Sequence, residues 1–241
     1  MNCMSSVIVL LFACSLTLCS TTIYFEKIYP GMPMIHRPRY LAATILPPAS
    51  RPPICLQYMI WCHAASVSDK YSSLHNIFYL RARKYAELDE LKGFGECMVT
   101  LAHCQTWLLI TTYEFRMMLF PRAWLSAGQA ARLAAMLGLN RLDGQGLDVK
   151  QTLSPPKDWT EEEERRRVLW LTFCVDRYAS VGTGWPVTLD ERDVSCSIVY
   201  ASLSEEHLCL TELNRFPRNF LPLRSLSFRT SPSNLCVLQM L

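Results

Sequence analysis

Cysteine is plentiful in this sequence, 11 residues in 241, yet no two are spaced as Cys-x-x-Cys. Without that spacing there is no local template for a structural zinc site. An odd, irregularly spread set also does not read as a disulfide framework. Buried, reduced thiols are the expectation, and with them a reducing compartment. Glycine is scarce for an α/β enzyme, with 9 residues. No long run alternates apolar and polar residues, so no strand is predicted. Asp143-Gly144 falls between helical patterns rather than between strands. A strong charge of one sign is also lacking: the net charge of +3 is too small to imply a polyanionic partner. The sequence has no Gly-x-Ser-x-Gly elbow, no His-Glu-x-x-His and no phosphate-binding Gly-x-x-x-x-Gly-Lys loop.

What is present is apolar: half the residues are hydrophobic, enough for a sizeable core. The most informative stretch is WTEEEERRRVLWLTFCVDRYASVGTGWPVTLD, residues 159–190. Thr160 and Glu163 have capping-box spacing, and the glutamates lie at the positive end of a helix dipole. Glu161, Glu162 and Glu163 each stand four residues before an arginine, the favourable order, at roughly 0.2–0.5 kcal/mol per pair. From Val168 to Val175 the stretch is apolar on nearly every face, which predicts a helix buried among others. Gly182 and Gly184 are expected to end it, and Pro186 to prevent its resumption. The adjacent acids cancel the field of Arg165, Arg166 and Arg167, so no nucleic-acid patch is read there.

Elsewhere, helices are predicted over 54–67, 71–91, 96–118 and 121–137, with a Gly/Asp/Pro-rich loop over 140–158. A weaker helical segment follows at 204–214. Residues 24–29 read as a helix end broken at Pro30, and PGMPMIHRPRYL as an extended entry segment. Small residues on several faces of 121–137 (Ala127, Gly128, Ala130, Ala131, Ala134) mark it as a central element. The fold class is all-α: a multi-helix domain with irregular termini.

Chemistry is sparse. Adjacent His103-Cys104 and Cys62-His63 diverge by about 100° on a helix and cannot pair as nucleophile and base. The cysteine pairs 55/62 and 97/104 are each seven apart, on one helical face. Glu87, Asp89 and Glu90 read as a solvated helix end, since Leu91 stands where a partner acid would be. Asp176-Arg177 is an ionic pair within an apolar helix, and Arg177 is expected to brace neighbouring helices.

Five segments, in order, resemble the fungal-specific transcription factor domain, the middle homology region of fungal binuclear zinc-cluster regulators with its xylanolytic-activator-type subfamily. Tyr24-Phe25-Glu26 through His36-Arg37-Pro38 is similar to its YFExxxPxxPxxHRP entry. Ala130-Ala131-Arg132 through Leu137-Gly138 resembles AxRxA…LGLHR. Arg165-Arg166-Arg167 with Trp170 matches its RRRVFW helix, Asp176-Arg177 its D-R motif, and Gly184-Trp185-Pro186 with Asp190-Glu191 its GRP…DEDI loop. Trp185 departs from the family's arginine, the six-cysteine DNA-binding cluster is missing, and the end of the chain departs from the domain pattern. The chain is therefore read as truncated.

The resemblance implies a regulatory domain over 23–200 without catalysis, in the nucleus. It implies partners in the transcriptional machinery or among co-regulators, no membrane association, and homodimerisation of the complete protein. Zinc and DNA binding are implied for complete members through the missing cluster, and no cofactor is expected in this chain. Residues 1–22 are read as a signal-like segment or gene-model artefact and 201–241 as a weakly structured tail. The apolar run at 7–13, extendable to 19, supports the alternative, a secreted or membrane-anchored helical protein.

Overall fold

The computed structural model describes residues 19–143 and 153–196. Among them there is helix and no strand, as an all-α chain requires. The apolar run at 7–13, the segment at 204–214 and the tail from 201 lie outside the described residues. No described helix is long and apolar enough to cross a membrane.

Residues 19–23 are helical and continue into a π-helical turn, Tyr24–Ile28, and a 3-10 turn, Tyr29–Gly31. Ser20 and Thr21 are already buried, so the packed path begins before Tyr24. Among the described residues six α-helices follow: α1 (Arg37–Thr44), α2 (Ile54–Ser66), α3 (His75–Glu90), α4 (Leu101–Arg116), α5 (Phe120–Met136) and α6 (Trp159–Thr183). Helix α1 corrects the extended reading of the entry segment. Pro38 occupies its first turn, where a missing N–H costs nothing and the fixed φ suits a helix.

The core axis is α4, in which every residue from His103 to Phe115 is buried. An apolar surface on all sides demands neighbours on all sides, and α5, α2 and α6 supply them. The polar residues of α4 are satisfied internally. Thr106, Thr111 and Thr112 donate to the carbonyls of Ala102, Trp107 and Leu108 one turn back, and Gln105 Nε2 donates to Met34 O at 2.8 Å. Helix α5 turns Ala123, Ala127, Ala130 and Ala134 inward. With no side chain beyond Cβ, these residues let α5 pack closely on α4 and α6.

Several boundaries move inward. Helix α3 begins at His75 rather than 71, after a 3-10 turn at Ser72–Leu74. Helix α4 begins at Leu101 rather than 96. Gly95, left-handed at φ 89°, forces a separate turn at Glu96–Met98, and Thr100 caps the helix by accepting from His103 N. Cys97 therefore does not share a helical face with Cys104. Helix α6 is capped by Asp158 rather than Thr160: its carboxylate accepts from Glu161 N at 2.8 Å, and Glu161 Oε2 accepts from Lys157 N. The sequence holds two overlapping cap patterns, and the ionised acid, also held by Arg39, prevails. Gly182 remains inside α6, and Gly184 alone ends it, at φ 75°.

His63 is buried in α2, and its Nε2 lies 2.8 Å from Leu109 O of α4. Burial, chiefly, lowers its pKa from 6.5 to about 4. The folded state thus binds fewer protons than the unfolded state between these values, and stability is lost as pH falls through that window. Urea unfolding is expected to show a loss approaching ~3 kcal/mol from this group, and His63→Gln should flatten the slope.

Candidate functional site: the seam between the entry segment and the last helix

The three consecutive arginines of α6, Arg165 to Arg167, are spent inside the protein. Arg165 Nη2 bonds Glu161 Oε1 at 2.7 Å and Ser154 O at 2.8 Å. Arg166 Nη2 bonds Glu162 at 2.5 Å and Asp143 at 2.7 Å. Arg167 Nε bonds Glu163 at 3.0 Å, and its Nη1 reaches Pro33 O at 3.1 Å. All three are buried. Each local pair at i,i+4 is thus extended by one long-range acceptor, which converts a helix-stabilising pattern into a tether.

Arg167 tethers the entry segment, and Glu164 completes the joint. Its Oε1 accepts from His36 N at 2.7 Å and its Oε2 from Arg39 at 3.2 Å. Burial raises the Glu164 pKa despite the opposing pull of these donors. Arg39 also bonds both oxygens of Asp158 at 2.7–2.8 Å. His36 and Arg167 are therefore brought to one seam, while Arg166 ties α6 to Asp143 instead. Tyr24 and Phe25 lie beneath it in the core, edge to face at 5.2 Å. Arg37 and Pro38 are exposed, with Arg37 over the Phe25 ring.

At the second joint the bracing expected of Arg177 is shared with its neighbour, and Arg177 itself reaches Glu191 of the loop at 3.9 Å. Asp176, 2% exposed, is the buried part of the brace: its carboxylate accepts from Thr188 N at 2.9 Å and Leu189 N at 3.0 Å. Arg177, one residue on and about 100° around the helix, lies at the rim. It bonds Asp176 at 3.2 Å and stacks over Phe173 at 4.3 Å. The loop so held brings Leu189 against Ala131 and Phe173 in a small second cluster. Trp170 borders this cluster half-buried, rather than in the main core. Trp185 packs edge-on against Trp124 of α5 at 4.9 Å, an apolar tie in place of the arginine of the pattern. Gly184 supplies the left-handed turn into the loop, and Pro186 follows it, exposed. Arg132 is exposed on α5, its guanidinium crossing Gly128, and is not part of the seam. Leu137 is buried and Gly138, at φ 71°, ends α5.

One residue had no signal that local spacing could show. Glu114, fully buried in α4, accepts from Tyr79 Oη at 2.5 Å, Arg83 Nη1 at 2.7 Å and Ser126 Oγ at 2.7 Å. A lone acid within an apolar helix was the available hint. Asp89, expected in solvent, instead bonds Lys92 and, at 3.2 Å, His103 Nε2.

The seam holds charges in fixed pairs and presents no activated nucleophile. Burial pushes the Cys55 thiol up to about 11 and that of Cys104 to about 12. Cys55, Cys62 and Cys104 are buried at separate points of the core, bonded to different groups. The described cysteines do not fit a six-cysteine zinc cluster.

The model of the fungal specific transcription factor domain matches residues 21–237. The chain belongs to this family. It is 35% identical to the pigment biosynthesis transcriptional activator of Monascus ruber over 72% of this chain and 31% of that protein. Identity to the citrinin biosynthesis transcriptional activator of Monascus ruber is 32%, over 90% of this chain and 41% of the relative. The ascochitine biosynthesis cluster transcriptional regulator of Didymella fabae is 31% identical, over 70% and 29%. The chain thus spans about a third of the length of such relatives. No solved structure matches it. In this fungal regulator domain the entry segment, the arginine run and the Asp176 loop meet as joints, whereas Arg132 does not take part.

Unequal costs at the second joint follow. Asp176→Ala leaves two loop N–H groups without their acceptor and is expected to destabilise by ~3 kcal/mol. Arg177→Ala should cost about 1 kcal/mol, because its pairing is peripheral. Equal losses in urea unfolding would make Arg177 as much of a brace as Asp176.

Proposed function

We propose that this domain is the regulatory part of a transcription factor for a biosynthetic gene cluster. It acts in the nucleus through contacts with the transcriptional machinery or co-regulators and catalyses no reaction. DNA and zinc are engaged by the six-cysteine cluster of complete family members, a cluster that the described cysteines cannot supply. The observation that carries the reading is the family match across residues 21–237, together with relatives named as biosynthesis activators. The geometry agrees with it. The buried charges are arranged as braces, which suits a domain that presents surfaces. Reduced thiols in the core suit the reducing nuclear compartment.

The test is a fusion of the chain to an unrelated DNA-binding domain in a fungal host carrying a reporter. Expression is expected to shift relative to the DNA-binding domain alone. Leu169→Asp, which places a charge at a fully buried position, should abolish the shift by unfolding the domain. Trp170→Ala is the weaker control, since that ring is half-buried. A folded, nuclear fusion that leaves the reporter unchanged under every nutrient condition tried rejects the proposal.

A further inference from the structure

Three helices bring one donor atom each to a single point near the end of the bundle. Cys55 lies in the first turn of α2, Asp89 in the last turn of α3 and His103 in the first turn of α4. The Cys55 Sγ, an Asp89 carboxylate oxygen and a His103 ring nitrogen all lie within 4.8 Å of one another. We propose that Cys55, Asp89 and His103 form a binding site for a divalent transition-metal ion of the zinc type. This site is separate from the family's DNA-binding cluster and does not depend on the transcriptional reading.

One of the three donor separations already matches a bound site. Tetrahedral zinc with ligand distances of about 2.0–2.3 Å places its donor atoms roughly 3.2–3.6 Å apart. His103 Nε2 and Asp89 Oδ2 are already 3.2 Å apart. Closing the site takes a shift of about an ångström at the sulfur. The thiol is buried, while Asp89 keeps 15% of its side chain exposed. The aqueous rim at Asp89 gives an ion its way in and a water its place as fourth ligand.

The groups behind the donors are those that ligation requires. Thr100 Oγ1 is 2.8 Å from His103 Nδ1, so it can accept the ring proton there and leave the Nε2 lone pair for a metal. Lys92 engages Asp89 through Oδ1, leaving Oδ2 towards the histidine. Thr106 Oγ1 lies 3.7 Å from the sulfur, and its hydroxyl must turn from the Ala102 carbonyl to donate to a thiolate. On ligation the Cys55 thiol releases its proton to solvent, and the proton that Nε2 directs at Asp89 leaves that nitrogen, so the ring binds as a neutral imidazole with its proton on Nδ1. One thiolate and one carboxylate then neutralise the dication. A donor set of sulfur, nitrogen and a single carboxylate selects zinc or cobalt over magnesium or calcium, which take oxygen donors. No local spacing announces the site, because each ligand comes from a different helix. This assignment departs from the expectation of no cofactor in this chain.

The experiment is a titration of the metal-free full chain with cobalt(II), read by absorption, with zinc(II) as competitor. Saturable visible bands of tetrahedral cobalt and a near-ultraviolet thiolate-to-cobalt band are expected, both removed by zinc. Cys55→Ser should abolish the near-ultraviolet band, Asp89→Asn should weaken cobalt binding, and Thr100→Val should weaken it ~10–100-fold. Native helical circular dichroism is required of each variant. Should Cys55→Ser fail to fold, Asp89→Asn, which keeps the shape of the side chain, decides. Absence of a thiolate band in the folded wild-type chain, or full cobalt affinity in Asp89→Asn, overturns the proposal.

Discussion

A carboxylate without access to water organises the bundle. Glu114 lies in the last turn of the most buried helix, and a carboxylate charge left unpaired there would cost several kcal/mol. Its compensation comes from three directions: the phenol of Tyr79 and the guanidinium of Arg83 on α3, and the hydroxyl of Ser126 on α5. Arg83 reaches it from a partly exposed position, laid over the Trp107 ring at 5.5 Å. Apolar packing alone would let helices with such interchangeable surfaces slide or rotate. A buried charge that must meet three donors admits one register of α3 and α5 on α4. The alanine stripe of α5 can then be placed, and with it the surface on which α6 lies.

Local sequence was informative where the physics is local. The helices from α2 to α6 follow from apolar runs and from breakers such as Gly138 and Gly184. The acid-to-arginine pairs of α6 appear at i,i+4 as the spacing implies. What spacing could not show is where each side chain ends. Arg167 meets the carbonyl of Pro33, and Glu164 meets the amide of His36, across more than a hundred residues. Asp176 and Arg177 are neighbours in sequence with opposite fates, because one residue on a helix is a rotation of about 100°. Helix α1 was hidden by its prolines, which read as breakers although one of them sits where a helix accepts it. Asp158 lay just outside the stretch that seemed to start α6.

These joints bear on what the family's motifs do. Residues that recur in the pattern are placed here on intramolecular partners: a loop amide, a carbonyl of the entry segment, a helix cap. In this chain they fix the frame between segments rather than standing free at the surface. Trp185 illustrates the freedom that remains, since an aromatic contact with Trp124 secures the loop where the pattern has arginine.

The tether between Arg167 and Pro33 spans 134 positions of the chain. On a ribosome, that separation is a delay. At typical elongation rates the entry segment emerges roughly 7–27 s before the arginine that will hold it. Through that interval the Pro33 carbonyl and the His36 amide lack the α6 side chains that will meet them. The entry segment is therefore secured only once α6 has been made, so this joint is among the last contacts of the domain to form during synthesis.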